Sequence, residues 1–174
     1  MKRKNYSSWD TLFINIAEEA AKRSKDPSTI HGSCIVRDNK ILSIGYNGLP
    51  KGFDDSGIDI KTEPSCEDFL KQYYKETGNR YYDYWDKANK YHFSCHSEEN
   101  AIINSKQDLE GSTLYLYSEK GYYPCEICAR MIAQSGIKEV VMKTAIKEST
   151  EVYNWDYTKH IFKKAKVKIR ILTV

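Results

Sequence analysis

Cys95-His96-Ser97-Glu98 and, further on, Pro124-Cys125-Glu126-Ile127-Cys128 decide how this chain is read. Together, His-x-Glu and Pro-Cys-x-x-Cys supply one imidazole, two thiols and one spare carboxylate, the set that metal-activated water chemistry requires. A catalytic zinc takes three protein ligands and keeps a fourth position open. His96, Cys125 and Cys128 meet that number, and zinc so held brings the pKa of water down towards about 7. Glu98 then stays off the metal, free to change protonation state as a general acid and base.

The spacings also fix local structure. Residues three apart share one face of a helix, so Cys125 and Cys128 can reach one ion, and Pro124 suits the helix start. The positive end of that helix favours thiolate over thiol. His96 and Glu98 are only two apart and would diverge in mid-helix. His96 is therefore expected at a helix entrance, with Glu98 in the first turn. The competing reading is a closed structural zinc knot that adds Cys95. A closed site usually shows a second paired-ligand segment, and the chain offers only one Cys-x-x-Cys.

Outward from the motifs, 174 residues fit one domain, expected to span 1–174 with an aromatic-rich insertion at about 54–94. Hydrophobic residues make up 40% and charged residues 29%, a globular composition, and no run approaches the roughly 18 to 20 apolar residues of a membrane span. No signal peptide opens the sequence, and five cysteines form an odd set, so a reducing, cytoplasmic setting is expected. The net charge of +3 is small and its basic residues are scattered, which argues against a nucleic-acid partner.

Trp9, Leu12, Phe13, Ile16, Ala17, Ala20 and Ala21 recur at helical spacing after Ser7 or Ser8 as cap, and Asp26-Pro27 ends that helix. Ser33–Val36 and Ile41–Ile44, around a polar turn at 37–40, read as a hairpin in which Cys34 is a small buried hydrophobe. Three glycines and a proline in Gly45-Tyr46-Asn47-Gly48-Leu49-Pro50-Lys51-Gly52-Phe53 predict a tight loop whose backbone can approach a ligand. In the insertion a helix is expected around Cys66 to Thr77. Tyr73, Tyr74, Tyr81, Tyr82, Tyr84, Trp85 and Tyr91 form a lid, a subunit contact or a satellite cluster. Cys66, His92 and Cys95 could make a second, structural zinc site, but their irregular spacing argues against it. Beyond Glu98, helix is expected to Lys106, strand at 113–117, helix from Cys125 to about Ser135 capped by Gly136, strand at 137–142, helix at 155–165 and strand at 167–172. That alternation describes a layered α/β domain.

With these residues in place, the chain resembles the zinc-dependent cytidine deaminase superfamily and, within it, the deoxycytidylate (dCMP) deaminases. The more discriminating matches are Asp26-Pro27 leading to Gly32–Val36, Gly45-Tyr46-Asn47-Gly48-x-Pro50, Asn100-Ala101-Ile102 and Ala133–Val140. The resemblance implies a three-layer fold, a mixed five-stranded sheet flanked by helices. It implies zinc on His96, Cys125 and Cys128, proton transfer by Glu98, and Asn47 hydrogen-bonded to substrate near its sugar or base. The implied reaction is hydrolysis of dCMP to dUMP and ammonia, supplying thymidylate synthesis. It further implies a homohexamer activated by dCTP and inhibited by dTTP between subunits, with Mg²⁺ accompanying a triphosphate. Gly45, Tyr46, Gly48 and Lys51 are the candidate regulatory or substrate loop.

Three departures stand out: Ser97 replaces the usual alanine, Ser118-Glu119-Lys120-Gly121-Tyr122-Tyr123 is longer than usual, and the second-zinc ligands of some relatives do not align. The longer loop keeps a modified cytosine nucleotide open as substrate. Lys51, Arg80 and Lys87 are candidate phosphate ligands. Other readings are deamination of a base in tRNA or DNA, or a catalytically silent subunit that binds nucleotide.

Overall fold

The computed structural model describes residues 4–54, 56–60, 67–79, 81–143 and 155–172. The chain divides into two compact units, one formed by Met1–Gly48 with His96–Val174 and the other by Leu49–Cys95.

In the first unit the strands are β1 (His31–Arg37), β2 (Lys40–Tyr46), β5 (Thr113–Ser118), β6 (Glu139–Lys143) and β7 (Lys168–Leu172). They form one sheet in the order β2-β1-β5-β6-β7. β1 pairs antiparallel with both β2 and β5, whereas β5, β6 and β7 run parallel. Parallel neighbours need crossover connections, which here carry α5 (Glu126–Gln134) and α6 (Trp155–Ala165). Asp38 and Asn39 both adopt positive φ, 52° and 60°, and close the β1–β2 hairpin.

Period-two alternation sorts the strand side chains into two cores. Cys34, Val36, Tyr115 and Val141 face α1 (Trp9–Ala21) through Phe13, Ile14 and Ala17. Ile35, Leu114, Leu116, Val140 and Met142 face the opposite way, onto Ala101 of α4 (Ser97–Asn104), Ala129 and Ile132 of α5 and Phe162 of α6. The result is the expected three-layer arrangement. Burial pushes the Cys34 thiol up to about 12, in keeping with an inert core residue.

The α1 stripe differs from expectation. Trp9 and Leu12 are 55% and 42% exposed, while Ile14 is buried. The helix turns Asp10 towards the sheet, where its carboxylate accepts from the Tyr115 hydroxyl (2.8 Å) and from Arg170 of β7. Glu139 completes the pair around Arg170 at 3.3 Å. A hydrophobicity stripe misses a face anchored by charge. The Arg170 hydrogen bonds hold the Asp10 carboxyl below the usual range. A lowered folded pKa stabilises above the unfolded value of about 3.9 and is lost as pH falls through the folded one. With the Asp10 and Arg170 side chains 31% and 41% exposed, Asp10→Asn should cost about 1 kcal/mol at pH 7. In urea titrations the difference from the native chain should shrink as pH falls below the unfolded value of about 3.9.

The second unit pairs β3 (Ile58–Ile60) antiparallel with β4 (Tyr81–Asp83) and carries α2 (Asp68–Thr77) and α3 (Lys87–Phe93). Leu70, Tyr82 and Tyr84 are its buried centre, with Leu49, Tyr73 and Phe93 packed around them. Those tyrosines form a satellite cluster, whereas Tyr74, Tyr81 and Tyr91 are exposed. β3, β4 and α3 carry no sequence pattern long enough to have been expected. α2 begins at Asp68, later than Cys66, which lies outside the described residues.

Candidate metal and catalytic site

Two helix starts build the site. His96 is the N-cap of α4 with extended backbone (φ −79°, ψ 159°), so its ring leaves the helix while Glu98 follows inside the first turn. The His96 backbone N–H donates to Glu99 Oε2 at 3.3 Å, which ties down that entrance. At the other start Cys125 is itself the N-cap, and its Sγ accepts from the Cys128 backbone N–H at 3.4 Å. Pro124 therefore stands one position before the cap rather than at the first helical residue. Its carbonyl accepts from the buried Thr158 hydroxyl of α6 at 2.9 Å, which fixes the approach to Cys125.

The two helix starts bring the expected ligand set together. His96 Nδ1 lies 3.4 Å from Cys125 Sγ and 3.3 Å from Cys128 Sγ, and the three ligand atoms all fall within 4.8 Å of one another. Ligands at about 2.3 Å (S) and about 2.0 Å (N) from a tetrahedral zinc stand about 3.5 Å apart, so the spacing fits that ion. Among the described residues this is the one group of its kind, and Cys95 is not part of it. A Cys66–His92–Cys95 site includes a residue outside the described ones.

The electrostatics suit a cation. The Cys125 thiol is pulled well below its ordinary range, first by the hydrogen bond from Cys128 and then by His96. Its hydrogen bond with Cys125 raises His96 to about 9, against the opposing effect of burial. A divalent ion taken up by these donors would displace the protons they share. Glu98 is only 5% exposed, and burial raises its carboxyl pKa against the lowering effect of His96. A raised carboxyl pKa is what proton transfer near neutral pH calls for.

The stretch from Gly45 to Phe53 is not one loop. Gly45 and Tyr46 complete β2, and Gly48 closes the first unit. A Cβ on Gly45 would lie 2.3 Å from the Ser97 carbonyl oxygen and 2.4 Å from the Ala101 nitrogen. That glycine lets α4 settle on the sheet. Gly45→Ala should cost at least about 2 kcal/mol, read as a lower urea midpoint, since backbone rather than a flexible side chain must yield. Asn100 adds a tether from α4 to the Tyr46 carbonyl at 2.8 Å.

Asn47 is buried and spends most of its bonding capacity on its own chain. Oδ1 accepts from the His31 N–H at 2.8 Å, and Nδ2 donates to Asp26 Oδ2 at 3.1 Å and to the Thr29 carbonyl at 3.0 Å. Asp26 in turn receives the Ser28 and Thr29 amides. In the sequence Asp26-Pro27 stands out as a helix stop and as a family match, but its pairing with Asn47 leaves no local signal. Lys51 and Lys87 are exposed, and Arg80 lies outside the described residues.

Fold and site together define a three-layer α/β protein with a candidate zinc-hydrolase centre of the His/Cys/Cys type. Residues 7–144 match the family model described as the cytidine and deoxycytidylate deaminase zinc-binding region. The deoxycytidylate deaminase of Mus musculus is 38% identical over 142 residues, covering 80% of this chain and 67% of that protein. The Homo sapiens enzyme of the same name is 37% identical with the same coverage. In structure, the dCMP deaminase of cyanophage S-TIM5 in apo form gives a TM-score of 0.60 at 22% identity, covering 99% of this chain and 100% of that one. The same phage protein in complex with dCMP and dUMP gives 0.59 at 20% identity, with 99% of each chain covered. The chain belongs to the cytidine and deoxycytidylate deaminase family. No helix among the described residues is long and apolar enough to cross a membrane.

Proposed function

We propose that this chain hydrolyses dCMP to dUMP and ammonia. The observation that carries the reading is the convergence of His96, Cys125 and Cys128, with the buried Glu98 in the first turn of the helix that His96 caps. Relatives named deoxycytidylate deaminase, matched over 80% of the chain, support the choice of substrate.

His96, Cys125 and Cys128 would hold the metal. Zinc, when bound, supplies the acidity that makes water nucleophilic at neutral pH. Glu98 takes a proton from the attacking water and passes it to the ring nitrogen beside the amino-bearing carbon. It then takes the second proton from the new hydroxyl and gives it to the departing amine, so ammonia leaves, a carbonyl remains and the ring nitrogen keeps the first proton. Asn47 would meet the nucleotide through the Oδ1 lone pair left beside the His31 amide, suited to a sugar hydroxyl. The reading includes a cytoplasmic homohexamer regulated by dCTP and dTTP with Mg²⁺, and a single catalytic domain whose insertion and Gly45–Lys51 stretch serve that regulation.

A modified cytosine nucleotide is the second reading, favoured by the aromatic loop after β5. Tyr122 and Tyr123 both pack against Trp155 at 5.8 Å, and Ser118 Oγ accepts from the Tyr122 amide at 2.9 Å. Parallel assays with dCMP, its 5-substituted analogues, deoxycytidine and a tRNA anticodon stem-loop separate the alternatives. Ammonia release should be fastest with dCMP. Turnover confined to the stem-loop would overturn the proposal.

A further inference from the structure

Glu98 is held by more than its own helix. Ser97 Oγ donates to Glu98 Oε2 at 2.9 Å, and Ser97 Oγ lies 2.9 Å from Ser33 Oγ of β1. All three residues are buried, both serines completely. Among the described residues, Ser97 is the one side chain that hydrogen-bonds this carboxylate. Two features of the fold bring the serines together. Ser33 pairs directly with Gly45 across β1 and β2, so both positions face α4. Gly45 has no side chain to hold the Ser97 backbone away from the sheet.

The direction of the chain follows from chemistry. A carboxylate only accepts, so the Ser97 proton goes to Glu98, and Ser97 in turn accepts from Ser33.

We propose that the Ser33–Ser97 hydroxyl pair is a positioning device for Glu98, engaging Oε2 so that Oε1 stays aimed at the reacting atoms. This rests on the deaminase reading above. Neither serine touches substrate; both act through the carboxylate's orientation, where a displacement of about 1 Å can cost as much as 10²-fold in rate.

The test uses the full-length zinc-loaded protein with dCMP. Ser97→Ala is expected to lower kcat about tenfold, with KM and zinc content unchanged, and Ser33→Ala to lower it about threefold. Because the two act in series, the double variant should be no slower than Ser97→Ala alone. A crystal structure of Ser97→Ala should show the Glu98 carboxylate rotated with the metal ligands in place, a readout that needs no turnover. Unchanged kcat in Ser97→Ala, multiplicative losses in the double variant, or an unmoved carboxylate would overturn the proposal. A native chain that binds zinc but does not deaminate dCMP would strike the functional reading instead, and the carboxylate's orientation would still decide this one.

Discussion

Glu98→Gln should lower kcat by about 10³-fold while the protein still carries zinc. Glutamine has nearly the same volume and can still accept the Ser97 hydroxyl through its carbonyl oxygen, so the buried pocket keeps its shape and that bond. What it lacks is a group that can take a proton from water and give it to the ring nitrogen and the amine. Positioned general acid and base catalysis contributes about 10²–10⁴-fold. The observable is single-turnover dCMP deamination alongside metal content. Because Glu98 lies outside the ligand cluster, KM and zinc stoichiometry should stay near native values. Native-like turnover in this variant would put the proton carrier elsewhere.

Cys128→Ala attacks the other half of the site. Cys128 is almost wholly buried in the first turn of α5, with its sulfur 3.3 Å from His96 Nδ1. Removing that sulfur leaves two of the three protein ligands, one fewer than a catalytic zinc site takes. Zinc affinity should fall by more than about 10²-fold, beyond what loss of a supporting contact costs, and turnover should vanish with it. Stability gives an independent readout. A metal that binds only the folded state stabilises it by mass action, so a chelator should lower the unfolding midpoint of the native protein. It should leave Cys128→Ala where it was. A variant that keeps native zinc occupancy would mean that Cys128 is not a ligand.

The elements that carry the site were readable in the sequence because their signals are local. The two-residue offset of His96 and Glu98 demands a helix entrance between them, and α4 starts there with His96 as its cap. The Cys-x-x-Cys spacing places the start of α5 to within a residue, Cys125 being its N-cap and Glu126 its first helical residue. The sheet strands follow from β-branched runs and the Asp38-Asn39 turn.

What escaped is long-range or charge-based. Asp10 meets Arg170 across 160 positions, so the α1 face that packs on the sheet contains a carboxylate and leaves Trp9 and Leu12 outside. Asn47 joins Asp26, and Ser33 joins Ser97, through single hydrogen bonds that no periodicity encodes. Gly45 looked like a loop glycine because the sequence cannot show that a helix backbone lies above it. β3 and β4, three residues each, are too short to carry an alternation.

The account stands on an open metal centre with Glu98 outside it, and X-ray absorption at the zinc edge of the purified protein tests that directly. Two sulfurs at about 2.3 Å and two nitrogen or oxygen neighbours at about 2.0–2.1 Å are expected, a set that Glu98→Gln should leave unchanged. Three or four sulfurs around the ion, or a shell altered in Glu98→Gln, would contradict it.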